Sequence, residues 1–578
     1  MTTLGELADV AERARPTGVM AWRKKDGAWR SIEWAELRVF RREVMAALHG
    51  LGITRGARVA ILSHTCWEWG ALDLAITSLG AITIGVYPTS TTEQIQFILE
   101  HSKSQVVFVE ESQFARLAPV FEKLTSLRVV GLGGALDSLR AEGRAVLAKS
   151  PDVPEQRMKE VQPDDEATFV YTSGTSGPPR AAVLTHRGVI EMSKLGSESL
   201  GATAQDVAVS YLPMAHVLTR VNYYAYVRLG GTAWFAEALE KVNEAWLAAR
   251  PTVVSAVPRV LEKAQARIMD RVAASSPLRQ KLFHRALASG LRRLEYVERG
   301  ASVPLPLRVE TALWSRLVSK KLKTALGWER ARFAMCGGAP TRQDVIRFFH
   351  ALGVPVLEGY GLTETSSPVA VNVPSAWRIG TVGKPLKGVE LKLASDGEIL
   401  VRSPGVFRRY EGDDEATRAA FEPDGFFRTG DIGTLDGDGF LRITDRKRDI
   451  IITAGGKNVA PQNIEAVIRE DGRISLVAVH GDRQPYLVAL VTVQPEVLAA
   501  HSSEAIDGVF PESSKLHAEV KAVIEKCNAR VAPYESVKKF RVLADDFTVD
   551  NGLLTPTLKV KRKAVEARFK KLFEGMYA

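Results

Sequence analysis

At 578 residues the chain is longer than one hydrophobic core usually supports, so two or more domains are expected. Hydrophobic residues at 46% and charged residues at 25% exclude bulk disorder, while a net charge of +10 favours anionic partners without choosing among nucleotides, coenzyme A, membranes and nucleic acid. Cys66, Cys336 and Cys527 lie far apart, which speaks against a Cys-x-x-Cys zinc site or a disulfide framework and fits a cytoplasmic protein; residues 1–20, with Glu6, Asp9 and Glu12, read as no signal peptide, and no later run has the apolar length of a membrane span.

Ser31 to Glu36 supplies capping residues ahead of Leu37, Phe40, Val44, Leu48 and Leu51, whose three- and four-residue spacing predicts a helix ending at Gly50 or Gly52. Arg58–Ser63 reads as a short buried strand, Trp67–Leu79 as a helix and Ala81–Tyr87 as another strand, and Gln105–Glu110 and Leu127–Leu132 continue the alternation. That rhythm predicts an α/β domain with a largely parallel sheet. Val183–His186 and Asp206–Pro213 add further elements. Between Asp270 and Val303, Arg, Lys, Leu and Ala recur at helical spacing; the charges read as a solvated helix face, since aromatic residues are too sparse for a nucleic-acid stacking platform.

Beyond about residue 390 the texture changes to short strands and tight turns, with Gly397–Val401 and the hairpin signature Asp436-Gly-Asp-Gly-Phe440. The charge run Asp445-Arg-Lys-Arg-Asp449, between Leu441–Thr444 and Ile450–Thr453, marks a hinge. Residues beyond it, through helices near Pro461–Glu470 and Ser514–Val531, suit a small α+β domain, which divides the chain at 1–445 and 446–578.

The stretch Phe169-Val-Tyr-Thr-Ser-Gly-Thr-Ser-Gly-Pro-Pro-Arg180 has the chemistry of an anion cradle. Gly174 and Gly177 let backbone N–H groups approach oxygen atoms, Thr172, Ser173, Thr175 and Ser176 offer hydroxyls, and Arg180 brings a cation. The Gly-x-x-x-x-Gly-Lys-Ser/Thr spacing is absent, and Pro178-Pro179 would stop a helix from starting after Gly177. A polar surface turn is the bland alternative.

Taken with Leu212-Pro-Met-Ala-His216, Gly337-Gly-Ala-Pro340, Tyr360-Gly-Leu-Thr-Glu-Thr365, Arg428-Thr-Gly-Asp431, Asp445–Asp449 and Leu554-Thr-Pro-Thr-Leu-Lys559, the cradle resembles the adenylate-forming acyl-CoA synthetases almost end to end. Val86-Tyr-Pro-Thr-Ser90, Val257–Lys263 and Thr453–Pro461 look most like the long-chain fatty acid group. The resemblance implies a large multi-subdomain α/β domain with a small mobile α+β lid. It also implies two steps, attack of a carboxylate on ATP to give acyl-adenylate and pyrophosphate, then displacement of AMP by the thiolate of coenzyme A.

On that resemblance the cradle holds the β- and γ-phosphates, and Glu364 with the Thr172 hydroxyl holds Mg2+. Tyr360 stacks on adenine, Gly338, Ala339 and Pro340 bring backbone to the base, and Glu358, Gly359, Gly361 and Thr363 complete the nucleotide site. Asp431 accepts the ribose hydroxyls, with Arg446 as a further contact. His216 orients or gates near the acyl carboxylate, and Lys559 offsets the charge of carboxylate and α-phosphate, a basic tail with Lys561, Arg562 and Lys563 being its alternative. The lid swings about Arg448 and presents Gly455, Gly456 and Lys457 to the coenzyme A channel. Arg180-Ala181 departs from the usual Lys-Gly, and Thr219 stands where long-chain members commonly carry Glu before Arg220. Tyr223 and Tyr224 are read as core or as wall of an acyl tunnel.

Val565, Phe569, Leu572, Phe573 and Met576 form an amphipathic pattern that docks on its own domain, with peripheral contact to an anionic membrane as the alternative. The expected partners are a fatty acid, ATP and coenzyme A, with no nucleic acid; a homodimer is compatible with the sequence. The rivals to a fatty acid–CoA ligase are an acyl-AMP ligase loading a carrier protein's phosphopantetheine and a non-catalytic lipid- or nucleotide-binding homologue.

Overall fold

The computed structural model describes residues 1–172, 179–455, 457–555 and 559–578, the Asn458 side chain excepted. Its first sheet orders the strands 128–131, 106–109, 58–62, 82–86, 166–172 and 180–185, parallel throughout except the last pair. Val59–Leu62 and Ile82–Val86 are buried along their whole length, as strands covered on both faces must be. The helix Trp34–Gly50 turns Leu37, Phe40, Val44 and Leu48 into that core at the spacing the sequence shows, whereas Leu51 falls just past its end and is exposed. In the helix Trp67–Ser78, Trp67 and every residue from Trp69 onward are buried.

Among the described residues four further sheets follow, besides a two-stranded ribbon. The strands 253–256, 333–337, 356–362, 367–371 and 384–385 form a five-stranded sheet that is parallel across its first three strands and antiparallel after them. The strands 390–393, 398–402, 427–435 and 441–446 form an antiparallel meander, which is the change of texture visible beyond residue 390. A hairpin of Val19–Lys25 and Ala28–Glu33, turning on Asp26 and Gly27 at positive φ, pairs in parallel with Thr232–Phe235, which pairs in turn with Val207–Ser210. No periodicity announced that pairing, because its partner lies some two hundred residues away; the Asp-Gly turn was its one local signal.

The C-terminal part has its own sheet, ordered 474–480, 487–493, 537–543 and 509–510, packed against the helices Pro461–Ile468 and Lys515–Asn528. The last helices, Arg562–Arg568 and Lys570–Tyr577, bury Val565, Phe573 and Met576 against it, so this amphipathic pattern covers its own unit. Polar contacts tie it to the rest of the chain. Arg469 Nη2 donates to both oxygens of Glu262 at 3.0 and 3.1 Å, Arg342 Nη2 to the Glu470 carbonyl at 2.8 Å, and Arg259 to the Ser475 hydroxyl at 3.4 Å. A polar seam of this kind separates at far lower cost than an apolar core. No helix among the described residues is long and apolar enough to cross a membrane.

Candidate active site

Parallel strands end where their loops can carry chemistry, and three such ends supply this site. Strand 207–210 leads through Pro213 to His216, strand 333–337 ends at the turn Gly338–Pro340, and strand 356–362 carries Glu358, Gly359, Tyr360 and Gly361. Gly338 sits at φ +87, where a side chain would strain the backbone. Gly361 is required for a different reason: a Cβ there would lie 2.2 Å from the Ser367 carbonyl oxygen. Glu358 accepts the Thr341 N–H at 3.2 Å, and its burial pushes the carboxyl up to about 7.

Tyr360 donates its hydroxyl to Asp431 Oδ2 at 2.7 Å. Asp431 is paired in register with Arg446 across the strands 427–435 and 441–446, and its Oδ1 lies 3.4 Å from Arg446 Nε. Burial raises Asp431, an effect opposed by Arg446 and the Tyr360 hydroxyl. Lys559 comes from the far end of the sequence into the same field. Burial lowers it to about 8, the neighbouring Arg446 and Arg448 acting in the same sense and Asp431 against them. His216 caps the helix Val217–Leu229, its Nδ1 accepting the Leu218 N–H at 3.2 Å; burial and the Lys559 charge push it down to about 4. The structure thus brings together His216, Tyr360, Asp431, Arg446 and Lys559.

Glu364 lies in the short helical turn Thr363–Thr365, directly before Ser366 and Ser367, two non-glycine residues at φ +52 and +89. Such positions cost about 1–3 kcal/mol each and persist only where neighbours enforce them. Here the Ser366 hydroxyl donates to the Gly405 carbonyl at 2.7 Å and Thr365 Oγ1 to the Ser367 carbonyl at 3.0 Å. Glu364 Oε1 accepts the Tyr410 hydroxyl at 2.8 Å. Among the described residues no group of three or more His, Cys, Asp or Glu could cage a metal ion. A carboxylate with few protein co-ligands fits Mg2+, which keeps waters and substrate oxygens as most of its ligands.

Ser173, Gly174, Thr175, Ser176, Gly177 and Gly456 lie outside the described residues. The strand ends flanking the cradle are in register, with the Thr172 hydroxyl donating to the Arg180 carbonyl at 3.3 Å. Arg180 Nε lies 3.3 Å from Asp413 Oδ2 and its guanidinium 5.7 Å from the centre of the Tyr410 ring. Ala181 is fully buried in its strand, and its carbonyl accepts the Glu411 N–H at 2.9 Å. Ala181→Gly is therefore expected to lower unfolding free energy by about 0.5–1 kcal/mol through backbone entropy, read as a shifted denaturation midpoint.

Gly455 and Lys457 stand exposed on a turn closed by Thr453 and Lys457, with Lys457 Nζ 5.9 Å from the Tyr534 ring, so this turn sits with its own unit while Lys559 occupies the site. Arg448 is exposed beside Asp449 at 4.0 Å. Arg562 donates to Glu465 at 2.8 and 3.1 Å and to the Val479 carbonyl at 2.7 Å, which removes it from any basic tail. Tyr223 and Tyr224 are buried among the residues of the helix Trp67–Ser78, with the Tyr224 hydroxyl donating to Asp73 at 2.6 Å. Sequence reasoning missed Tyr410, Asp413 and the Glu262–Arg469 pair, whose meaning lies in partners tens to hundreds of residues away.

Comparison with known proteins places the chain in a family. The AMP-binding enzyme family profile matches residues 9–411, and that of the AMP-binding enzyme C-terminal domain matches residues 448–578. Long-chain-fatty-acid–CoA ligase FadD15 of Mycobacterium bovis is 38% identical over all of this chain and 98% of its own length. Long chain acyl-CoA synthetase 6, peroxisomal, of Arabidopsis thaliana is 32% identical over 95% of this chain and 82% of its own. Among solved structures, the adenylation domain of a Mycobacterium chelonae carboxylate reductase superposes with a TM-score of 0.75 at 21% identity, covering 100% of this chain and 91% of that one. The anthranilate CoA ligase AuaEII, in complex with anthranoyl-AMP, gives 0.72 at 18%, covering 98% and 97%. These two share the fold. With both family profiles matched and full-length relatives above 30% identity, the chain belongs to the AMP-binding enzymes.

Proposed function

We propose that this protein is an ATP-dependent long-chain fatty acid–CoA ligase. The observation that carries the reading is the placement of Lys559, a residue of the C-terminal unit, in the field of Asp431 and His216 of the large one, with Arg446 at the boundary between the two. The full-length likeness to FadD15 supports the choice of substrates. In the first step the fatty acid carboxylate attacks the α-phosphorus of ATP, forming the acyl–phosphate bond as the bond to pyrophosphate breaks. In the second, the thiolate of coenzyme A attacks the acyl carbon and AMP leaves.

Two anions must meet in the first step, so the work of the site is electrostatic. Lys559 supplies positive charge at the meeting point, and Arg446 adds to it. Asp431 holds the ribose hydroxyls, while the turn Gly338–Pro340 and Tyr360 take the base. Neutral His216, with Nδ1 engaged by a backbone donor, leaves its other ring nitrogen to orient the acyl carboxylate. Glu364 and Thr172 would hold Mg2+, which supplies charge neutralisation to the phosphates when bound.

For the second step the reading divides the chain at 445/446 and lets the small unit turn about Arg448, breaking the Arg469–Glu262 and Arg342–Glu470 contacts and bringing Gly455, Gly456 and Lys457 toward the acyl-adenylate. It places the enzyme in the cytoplasm, its fatty acid arriving from water or from a bilayer surface.

The test is pyrophosphate release with and without fatty acids of graded chain length, followed by thioester formation with free coenzyme A. Release that ignores fatty acid would point to a binding protein, and acyl transfer only to a carrier protein would replace the acceptor. The pH dependence is a sharper check. His216, near 4, is neutral above pH 7 and Glu358, near 7, is largely ionised by pH 8, so the charge lost as pH rises through 8 is that of Lys559. kcat/KM for adenylation is expected to hold below pH 8 and fall as pH rises through it; Lys559→Arg, charged throughout, flattens that limb.

A further inference from the structure

We propose that the helical arm at 277–325 docks the protein on the surface of a bilayer containing anionic lipid. Leu305–Trp314, a π turn at Ser315–Ser319 and Lys320–Ala325 run on as one helix. One side of it serves the core, where Leu307 is buried and Val318 and Leu322 pack beneath it. Leu305, Val309, Leu313 and Leu317 recur every four residues on another side and are 70%, 63%, 52% and 50% exposed. Single exposed leucines are ordinary, but four in a helical row form a patch.

Charge selects the partner. Residues 276–325 hold eleven Lys and Arg against three Asp and Glu, a net +8 of the chain's +10. Arg279, Lys281, Arg285, Arg293, Arg299, Arg308, Arg316, Lys320 and Lys321 are all exposed. Two of the three acidic residues are already paired, Glu310 with Arg292 at 2.7 Å and Glu298 with Arg347 at 2.6 Å. An apolar row set among cations matches a membrane interface, where the row enters the headgroup boundary and the cations meet lipid phosphate. A nucleic acid would leave the leucines in water, and a second copy would set one strongly basic patch against another. The proposal goes beyond the ligase reading and does not depend on it; it also moves membrane contact from the buried C-terminal helix to this arm.

The experiment is cosedimentation of the full chain with phosphatidylcholine vesicles, with and without phosphatidylglycerol. The expected result is binding to the mixed vesicles at least about tenfold tighter than to phosphatidylcholine alone, weakening as salt is raised. A variant carrying Leu305→Ser, Val309→Ser and Leu313→Ser, and another carrying Arg308→Gln, Arg316→Gln and Lys320→Gln, each lose most of that binding while keeping the far-UV spectrum and the turnover of fatty acid dissolved in water. Equal binding to both vesicle types, or unchanged binding by either variant, overturns the proposal. So does light scattering that shows a dimer broken by the leucine variant without vesicle binding, or capture of nucleic acid in its place.

Discussion

Lys559→Ala is expected to reduce fatty-acid-dependent pyrophosphate release by about 10²–10³-fold or more, the scale on which losing one preorganised charge or donor at a reacting centre is felt. The side chain lies where Asp431, Arg446 and Arg448 already shape the field, so no neighbouring residue moves into its place without giving up its own partner. The same variant is expected to convert preformed acyl-adenylate and coenzyme A to acyl-CoA at a rate close to that of the parent, because the proposed turn of the small unit takes Lys559 out of the site before that step. That split separates a role in the first step from damage to the fold, which would depress both steps. Parent-like pyrophosphate release by the variant would remove the basis of the functional reading.

The strand–helix alternation up to residue 132 was legible because each element there is buried on both faces or one, and burial writes itself into apolar spacing. Leu37, Phe40, Val44 and Leu48 show the helical form of that rule and Val106–Val109 the strand form. The N-terminal hairpin was not legible, since its alternation is broken by Arg23, Lys24 and Lys25 and its sheet is completed by residues after 200. In the site the pattern repeats. Glycines 338 and 361 carry their reasons locally, as a left-handed turn and a close strand, and so could be read. Tyr410 could not: its hydroxyl bond to Glu364 and its ring under Arg180 exist only once two distant segments are folded together. The change from Lys-Gly to Arg180-Ala181 was visible in sequence, but the ion pair of Arg180 with Asp413 was not.

Asp73→Ala is expected to cost about 3–5 kcal/mol of unfolding free energy, a large part of what a domain usually has. The sequence pointed to Thr219 as the place where Arg220 lost an acidic neighbour; the fold gives Arg220 a different one, 147 residues upstream. Asp73 and Arg220 are both buried, with Arg220 Nη2 2.5 Å from Asp73 Oδ1, and Tyr224 donating to Asp73 Oδ2 at 2.6 Å. The guanidinium also donates to the Thr168 hydroxyl and lies 5.2 Å from the Trp69 ring. Removing the carboxylate leaves a guanidinium, which stays charged at any working pH, without its counter-ion inside the core. Tyr224→Phe takes away the bond donated to Asp73 and the one accepted from Arg220 Nη2 at 3.0 Å but leaves the ion pair in place, and is expected to cost less, about 1.5–3 kcal/mol. The decisive comparison is Asp73→Leu with Arg220→Met. If the cost comes from an uncompensated buried charge, the double variant regains most of the stability lost by Asp73→Ala in denaturant titration; if it remains as unstable as the single variant, the cluster acts through packing around Trp69 and Tyr224 instead.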